Sequence, residues 1–282
     1  MSVDSNGCRT QPMVYLVGLA RAGTLPGFEE DGLDPTDESR ARVITFGAGE
    51  SAVDAIVIDV PPSMFIGDEA ESNLQDVTWI GPRARRHDDI ISAARRKAEV
   101  MPVVFGSVFS GEQALERTVI NHTSLVYEYL DHTEGCDEWS IKAWASRRTA
   151  VERAKRHLAD EGGGAAAGAA YLLSKRSAAE AEVLAEDLAL ESVERVIEHL
   201  GDSVLDVVER RTSTVDGDPD RWLIAHVAAL VHRERISEFD QILDEQGGAL
   251  ESAGLTIELS GPWLPYSFCP VLPVSERSGS TV

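Results

Sequence analysis

Apolar and polar positions along the chain fall into two rhythms, one of strands and one of helices. Val14-Tyr15-Leu16-Val17-Gly18-Leu19 is a continuous apolar run of strand length and reads as a buried strand. An acidic loop broken by Gly32 and Pro35 follows it. Residues 43–46 and 54–60 read as two more strands, the second stopped by Pro61-Pro62. Residues 67–79 are weakly patterned and read as loop. Pro82 fits the first turn of a helix to about Ala98, with Ile90, Ile91, Ala94 and Ala98 on its apolar side. Residues 102–109 then predict a strand, and residues 111–130 a helix carrying Leu115, Val119, Val126, Tyr129 and Leu130.

The second half repeats the pattern. Trp139-Ser140-Ile141-Lys142-Ala143-Trp144 alternates as a strand does, with Trp139 and Ile141 on one face and Lys142 and Trp144 on the other. A helix over 147–159 runs into the Gly/Ala-rich linker 162–168. Val193, Val196, Ile197, Leu200, Val204 and Val208 recur at three- and four-residue steps and predict a core stripe on a long helix over 169–210. Residues 212–215 read as a short strand and 222–231 as a strand apolar on nearly both faces. Residues 234–253 read as a helix ended by Gly254, and 255–260 as a last alternating strand. The fold class this implies is α+β in two domains. Residues 135–268 fit a ferredoxin-like, split βαβ pattern, an antiparallel sheet with helices on one face. Residues 1–134 form a variant α+β domain, and 269–282 a flexible tail.

Composition narrows the functional classes. Over 282 residues, 26 Lys and Arg stand against 48 Asp and Glu, a net charge of −22 spread over both halves. That sign opposes binding to a nucleic-acid backbone or an anionic lipid surface. Cys8, Cys136 and Cys269 are odd in number and far apart, so a disulfide framework is not expected and a reducing, cytoplasmic interior is. The apolar stretch 13–20 reads as a first strand rather than an export signal, and no stretch has the length of a membrane span.

Motifs for chemistry are sparse. Gly47-Ala48-Gly49-Glu50-Ser51-Ala52 has the spacing of a dinucleotide loop, but a β-branched strand follows where that loop needs a helix, so it reads as a glycine hairpin. The seven histidines make no metal-ligand spacing, and no serine or cysteine sits in a nucleophile motif. No metal, cofactor or catalytic site is expected. Two basic knots, Arg83 to Lys97 and Arg147 to Arg156, read as helix faces paired with acidic neighbours rather than as an RNA site.

The most unusual segment is Gly261-Pro262-Trp263-Leu264-Pro265-Tyr266-Ser267-Phe268. Its prolines fix φ and hold the preceding residues extended, making a stiff aromatic strip. One reading is a corner that locks Trp263 and Phe268 into a core. The other is a docking strip whose partner-binding candidates are Trp263, Pro265, Tyr266 and Phe268.

This string resembles the signature of the gas vesicle protein F/L family. Ordered along the chain, residues 13–18, the segment Met101-Pro102-Val103-Val104-Phe105-Gly106-Ser107-Val108-Phe109, Glu138-Trp139-Ser140-Ile141-Lys142-Ala143 and Ala170-Tyr171-Leu172-Leu173-Ser174-Lys175-Arg176 are similar to further family segments. The resemblance implies a two-domain α+β accessory or minor structural protein of gas vesicles, not an enzyme. Its implied partners are the apolar A-type shell protein and other accessory gas vesicle proteins, its implied place the gas vesicle in the cytoplasm, and its role buoyancy. The competing expectation is a small-molecule-binding regulatory module, since ferredoxin-like domains host such sites.

Overall fold

A computed structural model describes residues 12–34, 39–161, 170–210, 218 and 220–272. The chain forms two compact units. The first draws on Met1–Glu134 and Leu264–Val282, and the second is Gly135–Trp263.

In the first unit the strands are β1 (Met13–Arg21), β2 (Glu30–Asp31), β3 (Arg40–Phe46), β4 (Val53–Val60), then, after α1 (Asp68–Asn73) and α2 (Val77–Arg95), β5 (Val100–Pro102) and β6 (Val108–Phe109). Helices α3 (Glu112–Asn121) and α4 (Thr123–His132) follow. The strands pair antiparallel in the order β2-β3-β4-β1-β5, with β6 also on β1. Apolar side chains cover this sheet on both faces. Tyr15, Ile56 and Ile58 pack with Ile90 and Ile91 of α2 on one side. Leu16, Val53 and Val57 pack with Leu115 and Val119 of α3 and Val126 and Leu130 of α4 on the other.

A bulge in β1 sets which residue faces which core. Leu16 pairs with Val57 and Gly18 with Ile56, so Val17 is the extra residue. It resets the alternation: Tyr15, Val17 and Ala20 share one core, Val14, Leu16 and Leu19 the other. At Gly18 a Cβ would stand 2.9 Å from Val100 Cγ1 and 3.1 Å from the Met101 carbonyl oxygen, so β5 approaches this closely only because the residue is glycine.

Three expectations change here for local reasons. The weakly patterned stretch 67–79 contains α1 and the start of α2, which is capped by the Asp76 carboxylate accepting from the Thr78 N–H at 2.8 Å. Pro82 therefore lies inside the helix and not in its first turn. The strand expected over 102–109 is two pieces, because Gly106 turns at φ +90° and the Ser107 hydroxyl donates to the Val104 carbonyl at 2.7 Å. The helix expected over 111–130 breaks at His122 (φ −122°), whose Nδ1 bonds the Thr118 carbonyl at 2.8 Å, while Thr123 Oγ1 donates to Val119. The Gly47–Ala52 string is the hairpin between β3 and β4, where Phe46 pairs with Val53 and Gly47 has φ +83°.

In the second unit β7 (Cys136–Ser146), α5 (Arg147–Glu161), α6 (Ala170–Leu200), β8 (Asp206–Glu209), β9 (Arg221–His232), α7 (Ile236–Ser252) and β10 (Leu255–Trp263) follow in order. The sheet is antiparallel in the order β10-β7-β9-β8. All three helices pack on one face. Ala143 and Ala145 meet Ala150 and Ala154 of α5 and Ala181, Ala185 and Val193 of α6. Ile141, Val227 and Ala229 meet Leu200 and Phe239.

The helical stripe ends sooner than its periodicity suggests. Gly201, at φ +44°, stops α6, and Val208 pairs with Ala228 in a strand instead of extending the helix. The expected strand at 212–215 and the linker at 162–168 lie outside the described residues. The end of the second domain also moves from 268 to Trp263. From Leu264 the chain packs in the first unit, where Cys269 and Leu272 lie against a core rather than beginning a loose tail. Residues 273–282 lie outside the described residues.

Candidate functional site

The proline-rich strip begins as the end of β10. At Gly261 a Cβ would meet the Trp139 ring at 2.8 Å and the Glu138 carbonyl oxygen at 3.0 Å, so only glycine lets the strand pass there. Trp263 still pairs with Glu138 in the sheet, and its side chain is 55% exposed. Beyond it the strip is fastened to the first unit. Leu264 and Tyr266 pack against the core on the α2 side of that sheet, whereas Phe268, Cys269 and Leu272 pack against the core on the α3–α4 side. Pro265 is buried and its carbonyl accepts from the Tyr129 hydroxyl at 3.2 Å. The Tyr266 hydroxyl donates to Asp88 Oδ1 at 2.9 Å, and Phe268 lies 6.4 Å from the His132 ring. The corner reading therefore fits Pro265, Tyr266 and Phe268 but not Trp263. Of the four candidates, Trp263 is the one presented to solvent.

Beneath this strap lies a network that the spacing of residues did not reveal. His87, on α2, bonds the Val103 carbonyl through Nε2 at 2.9 Å and the Tyr15 hydroxyl through Nδ1 at 2.8 Å. A carbonyl only accepts, so Nε2 carries the proton and Nδ1 accepts from Tyr15. The Tyr15 oxygen in turn accepts from the Gly106 N–H at 3.2 Å. Phe65 and Phe105 flank Tyr15 at 5.4 and 6.0 Å. Burial pushes the His87 pKa down, against the opposing pull of its bond to Val103. Burial pushes the Tyr266 hydroxyl up, helped by the Asp88 charge. Both shifts favour the neutral form, and each group is engaged in a hydrogen bond that fastens it to a neighbouring element.

The second unit has a polar cluster on the sheet face away from its helices. Ser140 on β7 and His226 on β9 share a hydrogen bond at 2.9 Å. His226 Nδ1 is buried and makes no hydrogen bond, so no carboxylate orients the ring as a nucleophilic triad requires. Burial, with Arg210 and Lys142 nearby, lowers the His226 pKa. Glu138 is buried and meets Arg210 at 3.5 Å. Trp144 donates to Glu258 at 3.0 Å while the Arg221 guanidinium stacks 4.0 Å over its ring. These contacts tie the strands of the sheet together, Glu138 and Arg210 reaching across β9.

The basic knots pair locally: Arg83 with Asp34, Arg86 with Glu30 at 3.3 Å, and Arg147 with Glu182 at 3.2 Å. Among the described residues no group of three or more His, Cys, Asp or Glu could hold a metal ion, and no helix is long and apolar enough to cross a membrane.

These features define a class: a two-unit α+β protein on antiparallel sheets, whose C-terminal segment packs into the first unit. The profile of the gas vesicle synthesis protein GvpL/GvpF family matches residues 14–270, and the chain belongs to that family. It is 26% identical over 222 residues to gas vesicle protein L of Streptomyces sp. (strain CB03234), covering 77% of this chain and 80% of the relative. Over 255 residues it is 24% identical to gas vesicle protein L1 of Halobacterium salinarum, covering 84% and 88%. The crystal structure of GvpF from Anabaena sp. PCC7120 shares its fold with a TM-score of 0.63 at 13% identity, covering 92% of this chain and 97% of that one. GvpF from Microcystis aeruginosa does so with a TM-score of 0.59 at 15% identity, covering 92% and 99%.

Proposed function

We propose that this chain is an accessory or minor structural protein of the gas vesicle that binds the hydrophobic shell subunit and other gas vesicle proteins and supports vesicle assembly. In this reading it acts by binding, not by catalysis. The family match over 14–270 supports the vesicle role. The observation that carries the binding role is a set of large apolar side chains left exposed on a chain of net charge −22: Ile66 at 58%, Val77 at 79%, Leu205 at 57% and Trp263 at 55%. A shell subunit outside its assembly exposes apolar surface and unpaired strand edges and aggregates. Covering that surface gains about 25 cal/mol per Å² buried, while the negative charge keeps the complex dispersed. The strand order β10-β7-β9-β8, which is fourth-first-third-second within the unit, supports reading the second unit as a ferredoxin-like domain.

Co-expression of the shell subunit with and without this chain tests the proposal. The expected result is a shift of shell subunit from pellet to supernatant, with the two proteins eluting together from a sizing column. Shell subunit that stays equally insoluble in both cases contradicts it.

A further inference from the structure

We propose that helix α5 is a docking face for an acidic segment of a partner protein, which it meets through Arg148, Arg153, Lys155 and Arg156. This face is separate from the exposed apolar side chains of the shell-binding reading and goes beyond that reading.

Charge elsewhere in the second unit is balanced locally. Arg195, Arg210, Arg221, Arg233 and Arg235 each meet a carboxylate at 2.9–3.9 Å. On α5, Arg147 reaches Glu182 at 3.2 Å, whereas Arg153, Lys155 and Arg156 meet no carboxylate. Arg156 Nε donates to the Glu152 backbone carbonyl at 3.4 Å, which leaves its charge unanswered. Arg148 has one acid beside it. The Asp220 carboxylate accepts from the Arg148 N–H at 2.9 Å, and that bond, with the Ser146 hydroxyl and the Arg148 charge, holds its pKa down.

The helix turns these cations outward together. Ala150 and Ala154 are buried in the core of the unit. With about 3.6 residues per turn, the four cations fall on the arc away from those alanines. Arg148, Lys155 and Arg156 are exposed and Arg153 is half-buried. Arg148 and Lys155 stand two turns apart on one side, about 10.5 Å along the axis. Between Arg148 and Arg156 the sequence holds a single carboxylate, Glu152, so the face is cationic on a chain of net charge −22. Arg153 and Arg156 are also like charges one turn apart, an arrangement that weakens a helix until an anion meets it.

The surroundings choose the kind of anion. Nucleic acid and anionic lipid present long rows of charge, which a net charge of −22 repels. Nor does α5 carry a Phe, Tyr or Trp on which a base could stack. A short acidic segment brings few charges. Where the screening length is about 8 Å, such a segment senses chiefly the face it touches. A second copy of this chain is the poorer occupant, because it brings the same large negative charge with it. Exposed ion pairs are individually weak, so the face steers and orients a partner, and its effect fades with salt.

The test is fluorescence anisotropy of labelled poly-L-glutamate titrated with the full chain at low and raised salt. R148E/K155E/R156E reverses the face and R148Q/K155Q/R156Q neutralises it. R85E/R96E/R117E makes the same change in net charge as the reversal, on exposed arginines of the first unit. Circular dichroism and thermal unfolding identify the variants that fold, and glutamine keeps a helix propensity near that of Arg and Lys. The expected result is salt-sensitive binding by the parent, about tenfold weaker in both α5 variants and within about twofold of the parent in the first-unit control. Equal losses in the α5 variants and the control overturn the proposal, as do folded α5 variants that bind like the parent. A parent that ignores poly-L-glutamate also overturns it, whether it binds nothing, prefers poly(U) or phosphatidylserine vesicles, or self-associates through α5. The probe contains no shell subunit, so each of these outcomes leaves the shell-binding reading standing.

Discussion

The two sheets bury themselves differently. In the first unit β1 lies between two cores, and its sequence MVYLVGLAR is apolar almost without interruption. In the second, β7 presents Ile141, Ala143 and Ala145 to the helices and Glu138, Ser140 and Lys142 to the other face. A sheet covered on both sides leaves no polar positions to spare, whereas a sheet with its helices on one side alternates. The contrast also separates roles: the first unit anchors the C-terminal strap, and the second carries polar contacts, Ser140 with His226 and Glu138 with Arg210, on the sheet face away from its helices.

Paired substitutions on the two strands test this most strongly. Leu16→Ala in β1 is expected to cost about 2–5 kcal/mol in denaturant unfolding, and Val17→Ala, on the opposite face, a large fraction of that. In β7, Ile141→Ala should fall in the same range, but Lys142→Ala should stay within about 0.5 kcal/mol. Equal costs at Ile141 and Lys142 would break the distinction between the sheets. Next comes Gly18→Ala, whose new Cβ meets Val100 and the Met101 carbonyl and should cost about 1–3 kcal/mol by overpacking.

The strap supplies smaller effects that should remain in the first unit. Phe268→Ala removes a half-buried ring and should lower stability by about 1–3 kcal/mol. Tyr129→Phe removes the bond to the Pro265 carbonyl and should cost about 1 kcal/mol, seen as faster amide exchange in β1 and α4 with β7 and β9 unchanged.

The smallest effect is a pH dependence. His87 has a folded pKa below its ordinary 6.5, so between the two values the unfolded chain binds a proton that the folded chain refuses. Its contribution is complete above about 6.5 and is lost as pH falls toward the folded value. Unfolding followed across this range should show stability dropping on acidification, with a shallower drop in His87→Gln. His226 shifts the same way and adds to the slope from the second unit.

Much of this architecture is legible along the chain because burial imposes a period. The continuous run at Val14–Leu19, the alternation at Trp139–Trp144 and the Val193–Leu200 stripe each name a strand or helix in place. What escapes is set by contacts distant in sequence or by single backbone angles. Val208 continues a helical stripe on paper, yet Gly201 at φ +44° has already ended the helix. The strap illustrates the same limit. Its stiffness is written in Pro262 and Pro265, but its attachment depends on Asp88 and Tyr129, more than a hundred residues earlier. β8 was hidden because four residues give no period to read.

Hydrogen exchange of the full chain, alone and with the shell subunit, asks most directly whether this chain meets a client through its exposed apolar side chains. The account predicts added protection in the complex around Ile66, Val77, Leu205 and Trp263, with the buried strands β1 and β4 exchanging as before. A mixture in which none of these positions gains protection would contradict it.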